Sequence, residues 1–209
     1  VFPAIVIAIA IGVLIFSFSG DSPKVVPNMT NSEISSPELT LMETDGVKHL
    51  IPLDKIKGGG PPKDGIPSID NPVFAEIQDS QVMSDSDIVI GLDINGDARA
   101  YPLFIMVWHE IVNDTVGDTP VSVTYCPLCF TGVVFKGEIS GKRELFGVSG
   151  KLWQSNLLMY NRSSNPEKES LWSQVLGEAV LGEFTGMRLK ILPADTVRFG
   201  GWKEKYPET

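Results

Sequence analysis

The chain is short of the side chains that build most metal and nucleic-acid sites. Its 209 residues include two cysteines and two histidines, and 17 Lys and Arg stand against 26 Asp and Glu. A structural zinc site takes four Cys or His ligands, commonly as two pairs, and this supply falls short of a zinc knuckle. A net charge of −9 without any basic cluster leaves nothing to neutralise phosphates, which excludes nucleic acid as a partner. No phosphate loop is present: Gly58-Gly59-Gly60-Pro61-Pro62 lacks the Lys-Ser/Thr ending, and no helix signal follows it. No internal repeat divides the chain.

Charge is absent from residues 1–20, which are dominated by Ile, Val, Ala, Leu and Phe. Twenty helical residues span about 30 Å, the thickness of a bilayer core, and the run is apolar on every side. The expectation is an N-terminal transmembrane anchor helix in contact with membrane lipid. Residues 21–38, rich in Ser, Pro, Asn and Asp, read as a linker. Residues 39–209 then form one domain on the extracytoplasmic side, with which three Asn-X-Ser/Thr sequons at Asn28, Asn113 and Asn161 are compatible.

What the domain does have is short β-type runs and many turns, with 20 Gly and 15 Pro. Residues 87–94 alternate around Ile88, Ile90 and Leu92, Asn95-Gly96 signals a type I′ hairpin, and 98–102 returns. Residues 103–112 are the helical candidate, with Phe104, Trp108 and Ile111 at helical spacing. Further strands are expected at 121–125, 157–160, 170–174 and 187–192, and a hairpin of 131–135 with 144–148 around Ser140-Gly141. The fold class is therefore mainly β, a barrel or sandwich with minor helix, after the anchor.

Both cysteines fall in Cys126-Pro127-Leu128-Cys129, directly after the strand at 121–125. A two-residue spacer lets both thiolates face one metal ion, and the same geometry suits a reversible disulfide or a structural one. His109, on the helix preceding that strand, is the third soft donor. Three soft donors suit copper better than zinc, with Glu110, Met159 or Met106 able to complete the shell. His49 has no candidate ligand nearby and reads as structural. A cysteine-hydrolase arrangement would use Cys126 or Cys129 as nucleophile, His109 as base and Glu110 or Asp114 as orienter.

Several longer motifs resemble one family. They are Gly59-Gly60-Pro61-Pro62-Lys63-Asp64-Gly65-Ile66-Pro67, then Ala98-Arg99-Ala100-Tyr101-Pro102 running on to His109-Glu110-Ile111-Val112-Asn113-Asp114. Thr124-Tyr125-Cys126-Pro127-Leu128-Cys129, Phe146-Gly147-Val148-Ser149-Gly150, Asn156-Leu157-Leu158-Met159-Tyr160 and Ser170-Leu171-Trp172-Ser173-Gln174 follow in order. Together they resemble the domain of unknown function 3179 family from about residue 56 to 209. The resemblance implies a fold unit and a motif set but no reaction, and a domain that runs on past Thr209. It also draws attention to Asp64, Asp70, Ser149, Asn156, Ser173 and Gln174, whose simplest role is hydrogen bonding in turns and buried strands. Position 130 commonly holds a small residue in that family, and here it is Phe.

The expectation is thus a membrane-anchored metal-binding protein, with copper held by Cys126, Cys129 and His109, serving copper handling, electron transfer or a membrane redox complex whose other subunits are its partners. The alternatives are an interaction subunit whose CxxC is a disulfide and a thiol-dependent enzyme.

Overall fold

The computed structural model describes residues 39–77 and 82–209. The expected anchor helix and linker, residues 1–38, lie outside them. Among the described residues no helix is long and apolar enough to cross a membrane.

The strands in chain order are β1 (Met42–Thr44), β2 (Val47–His49), β3 (Lys57–Gly58), β4 (Ile69–Asp70), β5 (Ile88–Ile94) and β6 (Asp97–Pro102). Helix α1 (Leu103–His109) leads to β7 (Ile111–Val116), β8 (Thr119–Cys126), β9 (Thr131–Lys136), β10 (Glu138–Ile139) and β11 (Lys142–Arg143). Then come β12 (Phe146–Trp153), β13 (Asn156–Asn161), β14 (Ser170–Ser173), β15 (Glu178–Gly182), β16 (Ile191–Leu192), β17 (Asp195–Arg198) and helix α2 (Phe199–Lys205). The domain is mainly β and includes a curled half-barrel sheet.

Seven strands form one sheet in the order β1-β2-β15-β14-β13-β12-β3, and five form a central sheet in the order β16-β9-β8-β7-β4. A three-stranded sheet has the order β17-β5-β6. Strand β8 shows why the central sheet is covered twice. Val121, Val123 and Tyr125 point to one face, into a core shared with Ile90, Leu92 and Tyr101 of the three-stranded sheet. The alternate positions Ser122, Thr124 and Cys126 point to the other face, where Cys126 joins a core with Phe146, Leu157, Met159 and Trp172 of the seven-stranded sheet. Burying each large apolar side chain in these layers contributes roughly 1.5–3 kcal/mol. The central and three-stranded sheets approach closely at Gly132, where a Cβ would stand 2.8 Å from Ile90 Cδ1.

Asn95 and Gly96 form the expected hairpin turn with φ of 55° and 84°, and β5 pairs with β6 from Ile94↔Asp97 outward. Two expectations are corrected. The helix expected over 103–112 ends at His109, because Glu110 takes φ 57° and the chain re-extends as β7; only Met106 of α1 is buried, while Phe104 and Trp108 are exposed. The Ser140-Gly141 turn exists but joins the short pair β10–β11. Strand β9 instead pairs with β8 and β16, and β12 with β13 and β3.

Candidate functional site

Strand β8 runs out at Cys126, and Cys129 N–H donates to Cys126 O at 3.3 Å, closing a turn before β9 begins at Thr131. The turn separates the two thiols by environment. Cys126 is buried in the core between the sheets, Cys129 is exposed, and both are free thiols.

Around Cys129 Sγ the chain converges from two more places. The turn between β12 and β13 is made by Gln154 and Ser155, with φ of 49° and 62°, and it delivers Asn156. Asn156 Nδ2 donates to Cys129 Sγ at 3.2 Å and to Gln174 Oε1 at 2.9 Å, while its Oδ1 accepts Val175 N–H at 3.1 Å. Gln174 follows β14 and is fully buried; its Nε2 donates to Thr124 Oγ1 and to Thr131 O, both at 3.1 Å. Thr131 Oγ1 lies 3.1 Å from Cys129 Sγ and donates to Gln174 Oε1 at 3.1 Å. Ser173, the preceding residue, is buried with an Oγ that has no hydrogen-bond partner among the described residues.

These contacts act on the thiols in opposite directions. At Cys129 burial works to raise the pKa, but hydrogen bonds from Cys126, Thr131 and Asn156 outweigh it and hold the thiol below its ordinary value. At Cys126 burial, followed by its hydrogen bond to Cys129, pushes the thiol up. The result is one accessible sulfur favoured as thiolate and one shielded sulfur favoured as thiol.

The remaining expected site residues are placed elsewhere or otherwise engaged. His109 Nδ1 is hydrogen-bonded to Pro67 O at 2.8 Å, and its ring makes no hydrogen bond to either cysteine. Burial raises the Glu110 carboxyl to about 7. Met106 is buried with Tyr101 and Val123, and Met159 lies in the same core as Cys126. Asp114 binds Arg99 and Tyr101. Among the described residues no group of three or more His, Cys, Asp or Glu side chains stands close enough to share a metal ion. The structure thus brings Cys126 and Cys129 together and does not add His109 to them as a third donor. His49 is structural, bonded to Thr44 Oγ1 and Ile51 O, each at 2.9 Å. Asn113 and Asn161 are buried and hydrogen-bonded, so neither sequon offers an exposed acceptor, and Asn28 lies outside the described residues.

Asn156 and Gln174 are polar positions of the motifs, and the structure gives them a common target. Thr131 carried no signal: a threonine opening a strand is ordinary β-propensity until its hydroxyl is seen beside a sulfur. The model of a family described as "Protein of unknown function (DUF3179)" matches residues 63–209. No curated protein and no solved structure matches the chain.

Proposed function

The chain belongs to this family of unknown function, DUF3179, and from that premise we propose that Cys129 and Cys126 are a thiol–disulfide redox couple in which Cys129 attacks and Cys126 resolves. The observation that carries the reading is the asymmetry of the pair: an exposed sulfur with the Asn156 amide as donor and the Thr131 hydroxyl at 3.1 Å, beside a buried thiol in the same turn. Cys129 thiolate attacks one sulfur of a substrate disulfide, forming a mixed disulfide, and the other substrate sulfur leaves as a thiolate that takes a proton from water. Cys126 then attacks Cys129 Sγ, and its proton passes to the second substrate thiolate as that sulfur leaves. Two electrons pass from the cysteine pair to the substrate; the reverse sequence oxidises a substrate dithiol. A hydrolase reading needs a base beside the nucleophile, and His109 is bonded to Pro67 instead. The apolar residues 1–20 and the linker 21–38 support a membrane anchor, which would hold the couple on the extracytoplasmic face next to other membrane-protein subunits.

The test is thiol labelling of the full chain across pH, with Cys126→Ser and Cys129→Ser, followed by equilibration with glutathione redox buffers. Labelling should fall on Cys129 with a midpoint below that of an ordinary thiol, and Cys126→Ser should trap a mixed disulfide on Cys129. Equal, ordinary reactivity of both thiols would refute the couple. One equivalent of copper retained by native material, protecting both thiols, would replace the redox reading with copper handling.

A further inference from the structure

A side-chain amide has one end that donates and one that accepts, and around Cys129 the neighbours decide which end faces where. Thr124 Oγ1 spends its proton on Val133 O at 2.7 Å, so it can only accept from Gln174. Thr131 O, a carbonyl, can only accept as well. Both therefore require Nε2 of Gln174, which turns Oε1 toward Asn156 and the Thr131 hydroxyl. Val175 N–H in turn requires Oδ1 of Asn156, which leaves Asn156 Nδ2 facing the sulfur. The order runs from the backbone of β9 through Thr124, Gln174 and Asn156 to Cys129, with no free choice of orientation at any step.

From this geometry we propose that Gln174, which makes no hydrogen bond to either cysteine, is a positioning residue that keeps the Asn156 amide donating to Cys129 Sγ and so holds that sulfur as the thiolate. The proposal rests on the redox reading above. The arrangement also accommodates the proton. With Cys129 protonated, its S–H donates to Thr131 Oγ1, which donates to Gln174 Oε1. With Cys129 ionised, the Thr131 hydroxyl turns to the sulfur, while Gln174 Oε1 keeps the hydrogen bond from Asn156. In neither state is a buried polar atom of this network left without a partner, so the sulfur gains and loses its proton without the penalty of an unmade hydrogen bond.

The experiment measures the pH midpoint of Cys129 labelling by iodoacetamide in the full chain carrying Gln174→Met, Thr124→Val, Thr124→Ser or Ser173→Ala. Gln174→Met, close in size but without an amide, should raise the midpoint by about one pH unit, a tenfold loss of thiolate below it. Thr124→Val should move it less, in the same direction, and Thr124→Ser should restore it. Ser173→Ala, adjacent in sequence but outside the network, should leave it unchanged. A folded Gln174→Met protein with the wild-type midpoint overturns the proposal. Should that variant not fold, equal midpoints for Thr124→Val and Thr124→Ser overturn it. An ordinary midpoint in the wild type itself would instead sink the redox reading, whereas a low wild-type midpoint unmoved by these variants removes only the role of Gln174.

Discussion

Two buried polar networks occupy opposite faces of the central sheet, and they differ in the atom at which each one ends. On the face toward the three-stranded sheet, Arg99 Nη1 reaches both oxygens of Asp114 at 2.9 and 2.8 Å, and its Nε and Nη2 reach Asp97 at 3.0 and 2.9 Å. Tyr101 OH adds 2.8 Å to Asp114, and the backbone N–H groups of Thr115 and Gly117 complete the carboxylates at 2.7 and 2.9 Å. Burial lowers the pKa of Arg99, but the two carboxylates outweigh it and hold the guanidinium even further above its ordinary value. One guanidinium serves two carboxylates there, neutral donors complete the carboxylate oxygens, and the network closes on itself. On the other face, the network of Thr124, Gln174, Asn156 and Thr131 is made of neutral groups and ends on an exposed sulfur. A closed charged network fixes strands in register, whereas an open neutral one delivers its donors to an atom that solvent and partners can reach.

The sharpest way to break this contrast is Asp114→Ala. It leaves Arg99 with Asp97 alone and takes the acceptor from Tyr101 OH and Thr115 N–H, and donors left unsatisfied in a partly buried site cost about 1–3 kcal/mol. Urea denaturation should show that loss, while the pH midpoint of Cys129 labelling stays at the wild-type value. A shift of the labelling midpoint would mean that the two faces are one coupled network.

Glu110 belongs to neither network, and it sharpens the comparison by showing what a carboxyl without either kind of support does. Burial raises it to about 7 from the ordinary value of 4.5. A carboxyl with a raised pKa contributes stability that is fully present below the unfolded value of 4.5 and is lost as pH rises through about 7. Glu110→Gln should therefore be as stable as the wild type at pH 4 and more stable at pH 8. The carboxyl is only half-buried, so the gain after solvent screening is about 1–2 kcal/mol. Urea midpoints at the two pH values check it, and equal gains at both would remove the titration as the cause.

The legible parts of the molecule are those whose signal is local. Asn95-Gly96 announced its turn because that dipeptide tolerates positive φ at both positions. The cysteine pair stood out because no other thiols exist in the chain. Gln154 and Ser155 make an equivalent left-handed turn without Gly or Asn, so the hairpin that delivers Asn156 gave no composition signal. The end of α1 was misplaced because helical spacing cannot register a left-handed Glu110. Least legible was the hydrogen bond from Gln174 to Thr124, which spans 50 residues and depends on how two sheets face each other. Its place on the preceding helix and the scarcity of soft donors argued for a third ligand in His109; the side-chain partners the structure gives to Cys129 come from the first residues of β9 and β13.

The smallest expected effect concerns Phe130, which ties the strain of the cysteine turn to its chemistry. Its φ is 53°, a left-handed conformation that costs an ordinary L residue about 1–2 kcal/mol, and its ring is 82% exposed, so little packing offsets the cost. Asparagine tolerates that region far better. Phe130→Asn should therefore stabilise the domain by about 0.5–1 kcal/mol, read as a rise in the urea midpoint. No side-chain hydrogen bond connects Phe130 to the network, and Cys129 keeps its contacts to Asn156 and Thr131 through atoms the substitution does not touch. The labelling midpoint of Cys129 should accordingly stay where it is. If it rose together with stability, the strained backbone itself would be pressing the sulfur against its donors, and the distinction between a rigid charged network and an open neutral one would have to include the turn.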